Sequence, residues 1–412
     1  MDKRSSSRKL PKSNLILTIL LSLLTLIQLN LTSKTQPTPS KTQNTPHPSK
    51  RLDDDTITRA NTSSLPYSDS SPSHENLFPF HRAVFLLLSA GTYPPQEALN
   101  KDLITGLSVR VRWEDIEKAP GEYDWNYLDN IMRIAKTHHK YVTLRILGGF
   151  WAPDWIYQKG VPSFKIRIKG KGIGVKPFIR KYGETVRLPV VWDETYLTLW
   201  TSFIKTVGKR YGSNPNIILV HLSGPTFFSA EPILARDKQE LNTLERSGFN
   251  ERVFITAWEK TIKAFAQSFP QKPLALNIHY IIRDSPSKIY LTLVKMGISL
   301  LNHRLVVQGN WLTPKHALWL KHEPGHTPDQ EMATLFWQLH KQGIDLGFQE
   351  AYPFAKISNI PRKKLKRIER NLIKLLDKLR IRYIEIYPQD LKDEFLKKVW
   401  RSYLEKAPRT SE

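Results

Sequence analysis

Cysteine is absent from all 412 residues. That excludes disulfides and thiolate chemistry, but it leaves the redox compartment open. Acidic side chains are scarce: 38 Asp and Glu stand against 62 Lys and Arg, giving a formal charge of +24. A surplus of that size suits an anionic polymer, a nucleic acid or a membrane surface. No nucleic-acid motif accompanies it and the basic residues are scattered, so nucleic acid is not expected as a partner. No Gly-rich phosphate loop follows the first predicted strand, where the chain reads Ala90-Gly91-Thr92-Tyr93; this disfavours a doubly wound dinucleotide-binding sheet. No His-x-x-x-His or His-Glu-x-x-His is read on a helix, and adjacent His138 and His139 diverge, so neither metal nor cofactor is expected.

Two basic patches are denser than the rest. Residues 165–181 read as a Gly/Lys/Arg loop past the third strand, placed to touch an acidic polysaccharide. Residues 362–382 read as an amphipathic helix with Leu365, Ile368, Leu372, Ile373, Leu376 and Leu379 turned inward and its charges in solvent.

Lys3, Arg4, Arg8, Lys9 and Lys12 precede the apolar run Leu15–Leu31. A positive segment before an apolar one is the grammar of an export signal. The run is short for a membrane span, yet no small-x-small cleavage site follows, so residues 1–31 are read as a signal peptide or a membrane anchor. Residues 32–76, rich in Ser, Thr and Pro, read as a disordered linker. The expected location is extracellular or periplasmic, or tethered to a membrane. Residues 77–412 remain as one globular unit, enough for a single large core.

Residues 106–157 carry the strongest pattern. Leu107–Trp113 alternates as a strand, Pro120-Gly121 marks a turn, and Asp124 stands where a helix cap belongs. Tyr141–Leu147 is a second strand, and it runs into Phe150, Trp151, Pro153 and Trp155. Strand, helix, strand on this spacing favours parallel pairing. Eight apolar runs follow the linker: 84–89, 107–113, 141–147, 217–222, 274–278, 305–308, 346–348 and 383–386. Helical stretches at 196–210, 251–268 and 328–341 lie between them. The fold class expected is α/β, a (β/α)8 TIM barrel preceded by the apolar segment and the linker.

Several of these residues resemble the retaining glycoside hydrolases built on (β/α)8 barrels, of the β-galactosidase-like family 42 and family 5 types. The wording shared is Arg112-Trp113, Ile116-Glu117, Pro120-Gly121, Tyr123-Asp124-Trp125 and Ala152-Pro153-Asp154-Trp155. It continues through Val191-Trp192-Asp193 and Arg210-Tyr211 to Ala230-Glu231. The resemblance implies hydrolysis of an O-glycosidic bond of a saccharide by two carboxylates, an acid/base from the end of strand four and a nucleophile from the end of strand seven. A glycan-binding barrel of the same ancestry that does not cleave is the alternative.

By position, Glu350 matches the nucleophile. After strand four the chain reads Ser223-Gly224 where most of the clan carries Asn-Glu, and Glu231 follows only after a loop; it is the expected acid/base. Glu385 alternates with Ile384 and Ile386 and is the reserve carboxylate, or else one half of a buried ion pair with Arg110, Arg112 or Arg145. Arg112, His221, His279, Asn310 and Tyr352 stand near strand ends as candidate sugar contacts. Trp151, Trp155 and Trp311 offer flat faces for the CH groups of a pyranose.

Overall fold

The computed structural model describes residues 78–167, 184–235, 237–279, 288–313, 328–354 and 362–406. The apolar segment 1–31, the linker 32–76 and residues 168–181 of the first basic patch lie outside them. No helix among the described residues is long and apolar enough to cross a membrane.

Eight strands form the barrel: β1 (Ala83–Leu87), β2 (Gly106–Arg112), β3 (Tyr141–Leu147), β4 (Ile217–His221), β5 (Leu274–Ile278), β6 (Leu305–Leu312), β7 (Asp345–Glu350) and β8 (Tyr383–Ile386). Every neighbouring pair is parallel, and β1 closes on β8. The TIM barrel expected from the apolar runs is therefore the observed architecture.

Alternation within the strands makes two cores. Outward residues such as Val84, Leu107, Val109, Leu144, Leu276, Val307, Phe348 and Ile384 pack under the surrounding helices. Inward residues Ala83, Phe85, Leu219, Ala275, Val306 and Tyr383 form a separate apolar plug, closed by Phe78 and Phe80. The plug mixes ring and hydrogen: a Cβ at Gly347 would stand 2.2 Å from the Tyr383 ring. Further along the same inward faces the chemistry changes. Ser108, Thr143, Arg145, His221, Asn277, Gln308, Gln349 and Glu385 are all buried and all polar.

The helices follow local rules. Asp193 caps Glu194–Tyr211 by accepting from the amides of Thr195 and Tyr196 at 2.9 and 3.1 Å. That helix turns Tyr196, Trp200 and Phe203 onto Trp113. Each such ring buried fully stabilises the fold by about 2–3 kcal/mol.

Three boundaries differ from expectation. The helix after Pro120-Gly121 spans Asn126–Thr137 with Trp125 at its cap position. Asp124 instead accepts from the Asn126 amide at 3.0 Å. The basic helix stops at Lys378, because Arg380 adopts φ 47° and turns the chain into β8. Residues 163–167 are a strand, not a loop: Ser163–Arg167 pairs antiparallel with Thr185–Pro189.

Candidate functional site

The polar inward residues converge on Glu385. Its carboxylate accepts from Ser108 Oγ at 2.7 Å, Gln308 Nε2 at 2.9 Å, Arg145 Nη2 at 3.0 Å and Thr143 Oγ1 at 3.4 Å. His221 Nε2 stands 3.5 Å away. Burial alone would raise this carboxyl, but the Arg145 guanidinium, then His221 and Ser108, outweigh it and hold it well below the usual carboxylate range. Of the two readings left open for Glu385, the ion pair is the one formed, with Arg145.

His221 is pushed down to about 4 by burial and then by Arg145, against the pull of Glu385. The ring is therefore neutral near pH 7. Arg145 Nη2 lies 3.1 Å from Nδ1, so Nδ1 accepts and Nε2–H faces Glu385. Asn277 Oδ1 lies 3.3 Å from the same Nδ1, while its Nδ2 has no partner. Turning that amide over would let Nδ2 share the Nδ1 lone pair with Arg145 and relieve the contact of two acceptors.

Gln349 is the inward residue at the end of β7. Its Oε1 accepts from Arg145 Nη1 at 2.9 Å. Glu350, the next residue, must then point to the other side of the strand. It is 0% exposed. Its Oε2 accepts from the Tyr387 amide at 3.2 Å, and Asp390, in the short helical turn Pro388–Lys392 after β8, acts on its carboxyl. Burial and Asp390 both push the Glu350 carboxyl well above its ordinary range. By alternation from Gln349, Glu350 belongs to the other face of β7, and what it meets is Tyr387 and Asp390 beyond β8.

The end of β4 is equally constrained. Ser223 Oγ donates to the Ile146 carbonyl at 2.5 Å, and the Ser223 carbonyl accepts from Trp200 Nε1 at 3.1 Å. Gly224 has φ 132°, and a Cβ there would meet Trp200 Nε1 at 2.1 Å. No side chain, acidic or otherwise, fits where the clan carries its strand-four carboxylate. Glu231 is half-buried in the loop beyond and accepts from Ser229 Oγ at 3.1 Å. It acts electrostatically on Arg110 and on Tyr387, as does Glu385. Tyr387 also lies in the field of Glu350.

The remaining predicted residues separate into two groups. Trp151 is buried, donates to the Phe228 carbonyl at 3.0 Å and carries the Arg112 guanidinium over its ring at 4.4 Å. Trp155 donates to the Glu117 carbonyl at 3.2 Å and meets Trp113 edge-on. Asn310 accepts from Gln308 within the barrel at 2.7 Å. Nearer to solvent are Arg112, His279, Trp311 and Tyr352, all half-buried. Trp311 packs edge-on to Phe336 and Phe348, and Tyr352 lies against Phe354. Phe150 and Phe228, from the loops after β3 and β4, form a half-buried pair at 5.6 Å.

Sequence reasoning passed over Ser108, Thr143, Asn277, Gln308, Gln349 and Asp390. For the first four the signal was present, since each shares the parity of an already suspected inward residue. Residues 322–326 do spell His-Glu-x-x-His, broken by Pro324-Gly325; they lie outside the described residues.

Residues 105–226 match the family described as Glyco_hydro_42, β-galactosidase. The match bears out the resemblance over β2 to β4 and stops short of β7. No curated protein matches the chain. Solved structures that align include xylanase B from Clostridium stercorarium F9, at 15% identity over 77% of this chain and 88% of that one, TM-score 0.44. A β-galactosidase from the psychrophilic Marinomonas ef1 aligns at 10% identity over 78% and 59%, TM-score 0.46. Endo-glycoceramidase II from Rhodococcus sp. aligns at 13% over 74% and 73%, TM-score 0.39. Scores and identities this low carry no argument about activity.

Proposed function

We propose that this chain engages a saccharide at the carboxyl end of its barrel and that its main role is to bind the glycan without cleaving it by a two-carboxylate route. One observation carries the reading: the mouth-facing ends of β4 and β7 are Ser223-Gly224 and Gln349, where hydrolysis would require two carboxyl groups. Glu385, the inward carboxylate, already has five partners and no exposed surface with which to reach an anomeric carbon. What remains at the mouth suits recognition: half-buried rings at Phe150, Phe228, Trp311 and Tyr352, with a polar rim of Arg112, His279 and Glu231.

Retaining hydrolysis by Glu350 and Glu231 is the second reading. Its support is that Tyr387 lies within the fields of both carboxyl groups. That route requires Glu350 to ionise and swing to the inward side of β7, with the two carboxyls about 5–5.5 Å apart.

Export through residues 1–31, with 32–76 as a stalk, belongs to the proposal and would be checked by the mature N-terminus of protein isolated from its host. The binding role is tested by titrating the full chain with neutral and acidic oligosaccharides and following Trp fluorescence. Phe228→Ala and Trp311→Ala are expected to weaken binding by about 1–2 kcal/mol, roughly 5- to 30-fold. Unchanged affinity in both variants would move the sugar away from this mouth.

A further inference from the structure

The inward face of β2 presents Ser108, Arg110 and Arg112 in succession, and these three differ in how fully they are used. Ser108 is committed to Glu385. Arg112 lies over Trp151 with Glu114 and Asp115 at 3.8 and 3.9 Å. Arg110 is tied at one end only: its Nε donates to the Leu88 carbonyl at 2.8 Å. Its two terminal nitrogens have no acceptor among the described residues, and no carboxylate lies within ion-pair distance of it.

Arg110 is registered opposite Arg145, one inward position along β2 from Ser108. Arg145 cannot share Glu385 with it, because that carboxylate is already saturated. Arg110 and Arg112 are half-buried while Ser108 below them is buried, so Arg110 stands where the polar interior opens to solvent. A second cation alongside and partial desolvation make a lone guanidinium there unfavourable until an anion arrives.

From this placement we infer that Arg110 is a receptor for the carboxylate of a uronic-acid residue in the bound saccharide. A guanidinium fixed through Nε presents a planar pair of donors, which match the two oxygens of a planar carboxylate. Tyr387, close enough to act electrostatically on Arg110, supplies a phenol beside the pair. The inference rests on the mouth being a saccharide site and adds the class of sugar.

The test uses the full chain on an array of uronate oligosaccharides (pectic, alginate and glucuronoxylan fragments), each beside its carboxyl-reduced neutral counterpart and a sulfated neutral one. At least one acidic member is expected to bind roughly 10-fold or more tightly than its reduced counterpart, the worth of a charge-assisted bidentate pair. Arg110→Gln should bring that ratio to about one, and Arg110→Lys, which keeps the charge without the fork, should leave an intermediate ratio. Circular dichroism confirms that each variant is folded; if Arg110→Gln is not, the Lys variant carries the test alone. Binding of neutral members with no preference for acid would overturn the inference and leave the saccharide site standing. A preference that survives folded Arg110→Gln, an undiminished ratio in Arg110→Lys, or equal binding of the sulfated counterpart would also overturn it. No binding to any member would remove the saccharide site as well.

Discussion

Glu350 and Glu385 stand on adjacent strands at the same end of the barrel, both without exposed surface, and they are driven in opposite directions. Glu385 faces the axis and meets Arg145, Gln308, Ser108, Thr143 and His221, so it stays ionised. Glu350, on the other face by alternation, meets one amide and another acid, and its carboxyl is pushed up. Burial is common to both and decides neither. What decides is which side of the strand the residue occupies, and therefore which donors can reach it.

Removing the cation is the hardest way to break this contrast. Arg145→Met strands the Glu385 charge in the barrel and is expected to cost about 3–5 kcal/mol in denaturant unfolding. Arg145→Met with Glu385→Leu should recover much of that loss. If Arg145→Met alone costs nothing, Glu385 is not held by an ion pair.

Gly224→Ala comes next. It places a methyl against Trp200 in a backbone conformation that suits glycine, with an expected cost of about 2–3 kcal/mol in unfolding free energy. A neutral result would mean that the β4 turn can move, and a strand-four carboxylate would again be possible there.

Glu350→Gln should be mild, and its signature is the pH dependence. A carboxyl raised in the folded state contributes stability that is full below its unfolded value, about 4.3, and is lost as pH rises toward and through the folded one. The variant should therefore lose less stability than the parent as pH rises from about 5 to 9, read as thermal midpoints across that range. Equal slopes would mean that Glu350 is already ionised in the fold.

The smallest effect is at the surface, where Arg210 and Asp129 pair at 2.6 Å with both side chains over 40% exposed. Asp129→Asn should cost no more than about 1 kcal/mol, and less in high salt. A cost like that of Arg145→Met would erase the distinction between buried and exposed pairs.

The barrel was legible because its outward faces are apolar and regularly spaced, as in Val84, Leu107, Leu144 and Phe348. Strand ends were less so. β6 runs on to Leu312 through a register shift after Gly309, and periodicity does not announce a shift. Glu350 was taken as the nucleophile by its position at the end of strand seven. The letters Gly347-Phe348-Gln349-Glu350 also carry the alternation. Phe348 must be outward to join the core, which makes Gln349 inward and Glu350 outward. Asp390, which with burial pushes the Glu350 carboxyl up, was not legible, since it arrives from beyond the next strand through tertiary packing alone.

The most direct measurement is hydrolysis of aryl glycosides and polysaccharides by the full chain, with Glu350→Gln alongside and saccharide binding followed in the same samples. The result predicted is binding in both proteins and turnover in neither. Turnover by the parent that disappears in a folded, sugar-binding Glu350→Gln would contradict it, and would establish Glu350 as a working carboxylate.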